Sequence, residues 1–183
     1  MRVIINPGHG GKDSGAISPN WMKEKKVNLN VALHLRGLLT AAGHQVIMTR
    51  TDDTFTPLKK LRALCLALHP DLIISIHHNA GGGHGFDVIY QIAGGESKRL
   101  AELIAAEFLH TGQTQHRVFS RKSLTRRGRN YYTILDHTTP AVITEFCFMD
   151  SEPKEIDTLK EQWAEAAAIA IAVKKYEEGI KNG

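Results

Sequence analysis

Four short apolar runs, Val3–Ile5, Val46–Met48, Leu72–Ile76 and Ala141–Ile143, limit more than anything else how this chain can fold. They are continuous rather than alternating and rich in β-branched residues, as strands covered on both faces must be. Stripes at helical spacing fall between them. Val27, Val31, Leu35, Leu38 and Leu39 form the first, with Gly43 as its stop. Leu58, Leu61, Cys65 and Leu68 form a second, closed by Pro70, and Leu100, Leu103, Ile104 and Phe108 a third. Leu159, Trp163, Ala166, Ala170 and Val173 form the last, after a start signal at Ser151 with Pro153 in the first turn. Phe86–Tyr90 reads as a fifth strand and Tyr131–Leu135 as a weaker sixth. Strands alternating with helices predict a single three-layer α/β/α domain over residues 1–183, on a mostly parallel, roughly six-stranded twisted sheet. The stripe residues are read as core and carry no chemistry.

Composition excludes other classes. A chain of 183 residues, 42% hydrophobic and 23% charged, is neither disordered nor fibrous. Its length supports a core without disulfides or a structural metal. No apolar run approaches the roughly 20 residues that span a bilayer. Cys65 and Cys147 sit inside apolar segments and read as buried free thiols. The net charge of +4 favours a negatively charged partner surface, and protonation of the ten histidines would strengthen that bias. Met1-Arg2 leads straight into a strand with no export signal. The expectation is a chain made in the cytosol, or a module cut from a longer exported protein.

Ligands of open α/β sheets bind at the carboxyl ends of the strands. Asn6-Pro7-Gly8-His9-Gly10-Gly11 follows the first run, His77-His78-Asn79-Ala80 follows Leu72–Ile76, and Thr144-Glu145 follows Ala141–Ile143. Helix starts share that edge, and Glu24 lies in the first turn of the helix striped by Val27 and Val31. Two imidazoles and a carboxylate form a ligand set for catalytic zinc, which keeps a further position open. His9, Glu24 and one histidine of the His77-His78 pair fill it, and Glu145 is the candidate proton carrier. Each residue alone has a plainer reading. His9 fits a structural role in a Gly-rich turn, Glu24 a favourable charge on a helix dipole, and Glu145 a solvated strand tip. One metal site explains all of these positions together. Adjacent residues leaving a strand point to opposite faces, so only one of His77 and His78 reaches the metal, and parity does not choose between them.

Other site types fit poorly. In Asn6–Ser14, Asn6 stands where a phosphate loop needs Gly and Asp13 follows Lys12. Ser14 lacks the Gly two residues before it that a nucleophile elbow requires. There is no H-E-x-x-H and no C-x-x-C. The stretch Arg117–Arg129 holds Arg117, Arg121, Lys122, Arg126, Arg127 and Arg129 without an acidic residue. It reads as a long loop that is either solvated or drawn to an anionic polymer; no recognition fold accompanies it, and no nucleic acid is expected. Gly81-Gly82-Gly83 suggests a mobile rim beside the site.

The chain resembles the zinc-dependent N-acetylmuramoyl-L-alanine amidases of type 3. The likeness begins with Ile4-Ile5-Asn6-Pro7-Gly8-His9-Gly10-Gly11-Lys12-Asp13-Ser14-Gly15-Ala16 and continues through Glu24 with Asn28-Leu29. It extends through Gly43-His44-Gln45-Val46, Met48-Thr49-Arg50, Leu61-Arg62 and Asp71–Ala80, and closes with Pro140–Phe148. The resemblance implies one zinc per chain, held by His9, Glu24 and His77, with Glu145 as the catalytic carboxylate. It selects His77 over His78, a position at which the family varies. It implies hydrolysis, in peptidoglycan, of the amide between the muramic acid lactyl group and L-alanine, at the bacterial cell wall, by a phage lysin or a wall-remodelling module. Asn6 departs from the family's usual Asp, and Cys147 and Asp150 or Ser151 depart from its Gly and Asn, all outside the ligand set. The chain is near the minimum for the fold, so an open site without an inhibitory helix is expected. The rivals are a zinc peptidase acting on stem peptides, and a non-catalytic module that binds wall or another anionic polymer through the basic stretch.

Overall fold

The computed structural model describes residues 1–181, except the side chains of Lys60 and Leu61; Leu61 of the second stripe therefore lies outside the described residues. Six strands, β1 (Arg2–Pro7), β2 (Gln45–Met48), β3 (Leu72–Asn79), β4 (Phe86–Tyr90), β5 (Gln115–Phe119) and β6 (Ala141–Phe148), form one sheet in the order β2-β1-β3-β6-β4-β5. The first four in that order are parallel; β4 runs antiparallel to β6, and β5 follows β4 in parallel. Four helices, α1 (Glu24–Ala41), α2 (Leu58–Leu68), α3 (Gly95–His110) and α4 (Leu159–Lys181), complete the α/β/α layering.

The two faces of the sheet are covered unequally. Val3, Ile5, Leu72, Ile74, Ile76 and Val142 pack into one buried cluster with side chains of α1, α3 and α4. Ile4, Ile73, Ala141 and Ile143, from the alternate positions, pack with Cys65 of α2 and Ile134 and Leu135 of a short 3-10 helix, Thr133–Leu135. Both cysteines are buried and free, and burial pushes the Cys65 thiol up to about 11.

Several sequence expectations need correction. The sixth strand is Gln115–Phe119, not Tyr131–Leu135, whose last three residues form the 3-10 helix. The basic stretch therefore begins inside β5. Strands β3 and β6 run further than their apolar cores, so His77, His78 and Glu145 lie on strands rather than in the loops after them. Pro153 opens a 3-10 turn, and α4 starts only at Leu159. Leu58, Leu159 and Trp163 are more than half exposed, so these stripe members are not core.

Candidate metal centre

The first loop is shaped before any ligand reaches it. His9 adopts φ +61°, followed by Gly10 at +133° and Gly11 at +56°. A non-glycine residue in the left-handed region is uncommon, and such strain concentrates at functional sites. The buried Arg50 guanidinium, just past β2, holds the loop by donating to the carbonyls of Pro7 (3.1 Å), Gly8 (2.8 Å) and Lys25 (2.8 Å). Asn6 is satisfied in place: its amide donates to Ser75 Oγ (2.7 Å) and its carbonyl accepts from Thr49 (2.8 Å). Beyond β6, Asp150 accepts the N–H groups of Gly81 (2.7 Å) and Gly82 (2.9 Å), and Ser151 bonds the Gly83 carbonyl. The glycine rim is thus tied to the turn after β6.

Glu24 opens α1 and is 3% exposed. Its Oε2 lies 3.0 Å from His9 Nε2 and its Oε1 3.2 Å from His77 Nδ1. One donor atom from each of His9, Glu24 and His77 lies within 4.8 Å of the other two. Donors about 2.1 Å from one tetrahedral zinc sit roughly 3.4 Å apart, so a set already within 4.8 Å needs only a modest contraction to close on one ion. The cradle leaves no spare volume, since a Cβ on Gly8 would overlap the His77 imidazole and one on Gly15 would overlap Glu24 and His9. Asp13 Oδ2 lies 3.0 Å from His9 Nδ1, a charge contact beside the ring rather than a hydrogen bond, since Nδ1 has no hydrogen-bond partner. These residues fit a zinc ion.

The electrostatics favour a cation. Burial alone would raise Glu24, but hydrogen bonds and charge attraction from His77 and His9 hold it far below the ordinary carboxylate range. Burial opposes charge on His9, yet Glu24 and then Asp13 outweigh it and raise the imidazole to about 9. Positive charge is therefore drawn to this spot. A cavity of about 260 Å³ adjoins it, lined by Pro7, His9, Asp13, Phe55, Thr56 and His77. Larger hollows lie elsewhere, one of about 530 Å³ between α1 and α4, but no cluster of ligating side chains lines it among the described residues.

Glu145 is the register partner of His77 across the parallel β3–β6 pair, so the two side chains stand side by side on one face. Glu145 keeps partial solvent access. Burial, then the nearby Glu24 and Asp87, nonetheless raise its carboxyl well above the usual value. His78 points the other way. Its ring is fully buried, 2.8 Å from Asn28 Oδ1 and 3.1 Å from Glu165 Oε2.

The structure thus gathers His9, Glu24 and His77, sets Glu145 beside them, and directs His78 elsewhere. Reading the sequence missed the parts played by Asp13 and Arg50. Asp13 sits four residues after His9 in a glycine-rich turn, a weak signal; Arg50 carries none that separates it from a solvated charge. Two imidazoles and a buried carboxylate at the carboxyl edge of a parallel sheet are the donor set that metal-dependent hydrolases use. The chain belongs to the N-acetylmuramoyl-L-alanine amidase family, whose model matches residues 3–175. It is 32% identical over 154 residues to N-acetylmuramoyl-L-alanine amidase CwlM of Bacillus licheniformis, covering 82% of this chain and 58% of that protein. Over 176 residues it is 32% identical to the amidase LytC of Bacillus subtilis, covering 92% of this chain and 34% of that one. The chain therefore spans less than two thirds of either relative. Among solved structures, Cwp6 from Clostridium difficile superposes with TM-score 0.89 at 32% identity, over 96% of this chain and 29% of that one. The catalytic domain of the amidase CwlV from Bacillus (Paenibacillus) polymyxa superposes with TM-score 0.85 at 28% identity, over 97% and 99% of the two chains.

Proposed function

We propose that residues 1–183 act as one catalytic domain, a zinc-dependent N-acetylmuramoyl-L-alanine amidase that works at the cell wall. The observation that carries this is the mutual approach of His9, Glu24 and His77 within 4.8 Å, with Glu145 register-paired to His77. His9, Glu24 and His77 would hold one zinc, which when bound supplies Lewis acidity that acidifies water and polarises a carbonyl at neutral pH. Arg50 keeps the His9 loop in the binding geometry, and Asp13 sets a negative charge beside the ring. Glu145 accepts the proton of the attacking water and returns it to the departing nitrogen, a role suited to a carboxyl whose affinity for protons is raised. The carbonyl–nitrogen bond breaks and an oxygen bond forms in its place, leaving a lactyl carboxylate on the glycan and a free amino group on L-alanine.

The basic stretch has a narrower part than its charge suggests. Arg117 pairs with Asp87 (2.6 Å) and Arg126 with Asp136 (2.6 Å), while Arg121 stacks over Tyr131 at 3.9 Å. Lys122, Arg127 and Arg129 remain exposed and supply the attraction toward anionic groups of peptidoglycan. Among the described residues no helix is long and apolar enough to cross a membrane.

The test is mass-spectrometric identification of the products from purified peptidoglycan. New N-terminal alanine that disappears with chelator and returns with zinc supports the reading. Cleavage between stem-peptide residues instead assigns the site to a peptidase.

A further inference from the structure

Behind the metal cluster lies a second, wholly buried group of polar side chains with no part in the chemistry above. His78 and Glu165 each have side chains 0% exposed, and Asn28 is equally enclosed. Asn28 stands four residues after Glu24, one turn along the same face of α1. Its amide nitrogen reaches Glu24 Oε1 at 3.1 Å and the Gly8 carbonyl at 3.3 Å. Both partners only accept, so the amide orientation is fixed and Oδ1 must face His78. Oδ1 in turn accepts from His78 Nδ1 at 2.8 Å, which leaves Nε2 to meet Glu165 Oε2 at 3.1 Å. A continuous chain of hydrogen bonds thus runs from α4, through the end of β3, to the Glu24 oxygen that faces His77. The backbone N–H of His78 adds a second hold on that oxygen, at 3.1 Å.

Stability gives no reason for this arrangement. Burying an acid and an imidazole between two helices carries a desolvation penalty that well-packed apolar residues avoid. Here the penalty is not fully offset, because Glu165 Oε1 has no hydrogen-bond partner. What the pair supplies is direction: with His78 held at both ring nitrogens, Asn28 cannot turn over, and Glu24 cannot rotate away from the cluster.

We propose that His78 and Glu165 are positioning residues of the metal centre, acting through Asn28 to fix the Glu24 carboxylate. The inference rests on the reading of His9, Glu24 and His77 as zinc ligands. Outer partners of metal ligands typically contribute about 10–100-fold in metal affinity, and that is the effect expected here.

The experiment measures zinc affinity by chelator competition, the visible spectrum of the cobalt-substituted protein, and thermal unfolding of the metal-free chain. His78→Leu should weaken zinc binding by about tenfold or more and alter the cobalt spectrum, and metal-free stability should fall as well, because Glu165 is left buried without its partner. Glu165→Ala should do the same, and the double variant should lose no more than His78→Leu alone. Glu165→Gln, whose side-chain amide can still hydrogen-bond Nε2 of His78, should restore wild-type affinity. If His78→Leu does not fold, Glu165→Ala and its rescue by Gln carry the test. Variants that bind zinc as tightly as wild type with an unchanged spectrum, or that lose only metal-free stability, overturn the proposal. A wild-type chain that binds no zinc overturns the metal reading itself, and this inference with it.

Discussion

The two faces of the sheet do different work with neighbouring residues. On the face under α1, α3 and α4, positions 72, 74 and 76 are buried apolar side chains, and position 78 continues that parity as a fully enclosed histidine. On the other face, under α2 and the 3-10 helix, Ile73 and Ser75 lead to His77, which keeps solvent access beside Glu145. A single residue step separates a reactive imidazole from a supporting one, because side chains of a strand alternate between faces. The thickly covered side holds the ligands still, and the thinly covered side leaves them reachable.

Glu24 joins the two sides, and its loss should have the largest effect. Glu24→Ala should abolish zinc binding and peptidoglycan lysis together; retained zinc at one per chain would show that the ligand set is misassigned. Glu145→Gln should lower kcat by about 10²–10⁴-fold, the range for a lost acid–base group, with zinc content unchanged. Full activity in that variant would remove Glu145 from the chemistry. Asp13→Ala should loosen zinc by about tenfold through the lost charge beside the His9 ring, measured by the same competition assay.

Two smaller effects sharpen the contrast. Ionising Glu145 costs the folded state more than the unfolded chain, because its folded value is raised. That penalty is absent below the ordinary value of 4.5 and grows as pH rises toward the folded value. Glu145→Gln should therefore raise the Tm of metal-free protein at pH 8 and leave it unchanged at pH 4. An equal shift at both would assign the effect to packing. Glycines divide in the same way. Gly15 has φ +63° and abuts Glu24, so Gly15→Ala should impair zinc binding. Gly37, in α1 with open space where a Cβ would stand, should tolerate Ala and gain about 1 kcal/mol of stability from helix propensity.

The central strands were legible because burial on both faces leaves an unbroken apolar run, as in Leu72–Ile76. Strand β5 was not. Gln115-His116-Arg117 are exposed at the sheet edge, and an edge strand with its polar side chains in water leaves no run to read. Ile134 and Leu135 misled for the opposite reason: they are buried by a 3-10 turn, whose apolar pair looks like a strand. At the site, the strand-end rule placed His9, Glu24 and Glu145 on one edge, and the structure brings them together. The choice of His77 came from family resemblance. Parity alone settles it only once the face carrying three helices is known, which is tertiary information. Asn28, His78 and Glu165 stayed hidden as a network because residues 28, 78 and 165 meet only after α1 and α4 dock.

Anomalous scattering at the zinc absorption edge, from crystals of the zinc-loaded protein, tests the whole account most directly. One strong peak is expected, bounded by the His9, Glu24 and His77 side chains, with Glu145 beside it and His78 still turned toward Glu165. No peak there, or a peak that excludes Glu24, would contradict it.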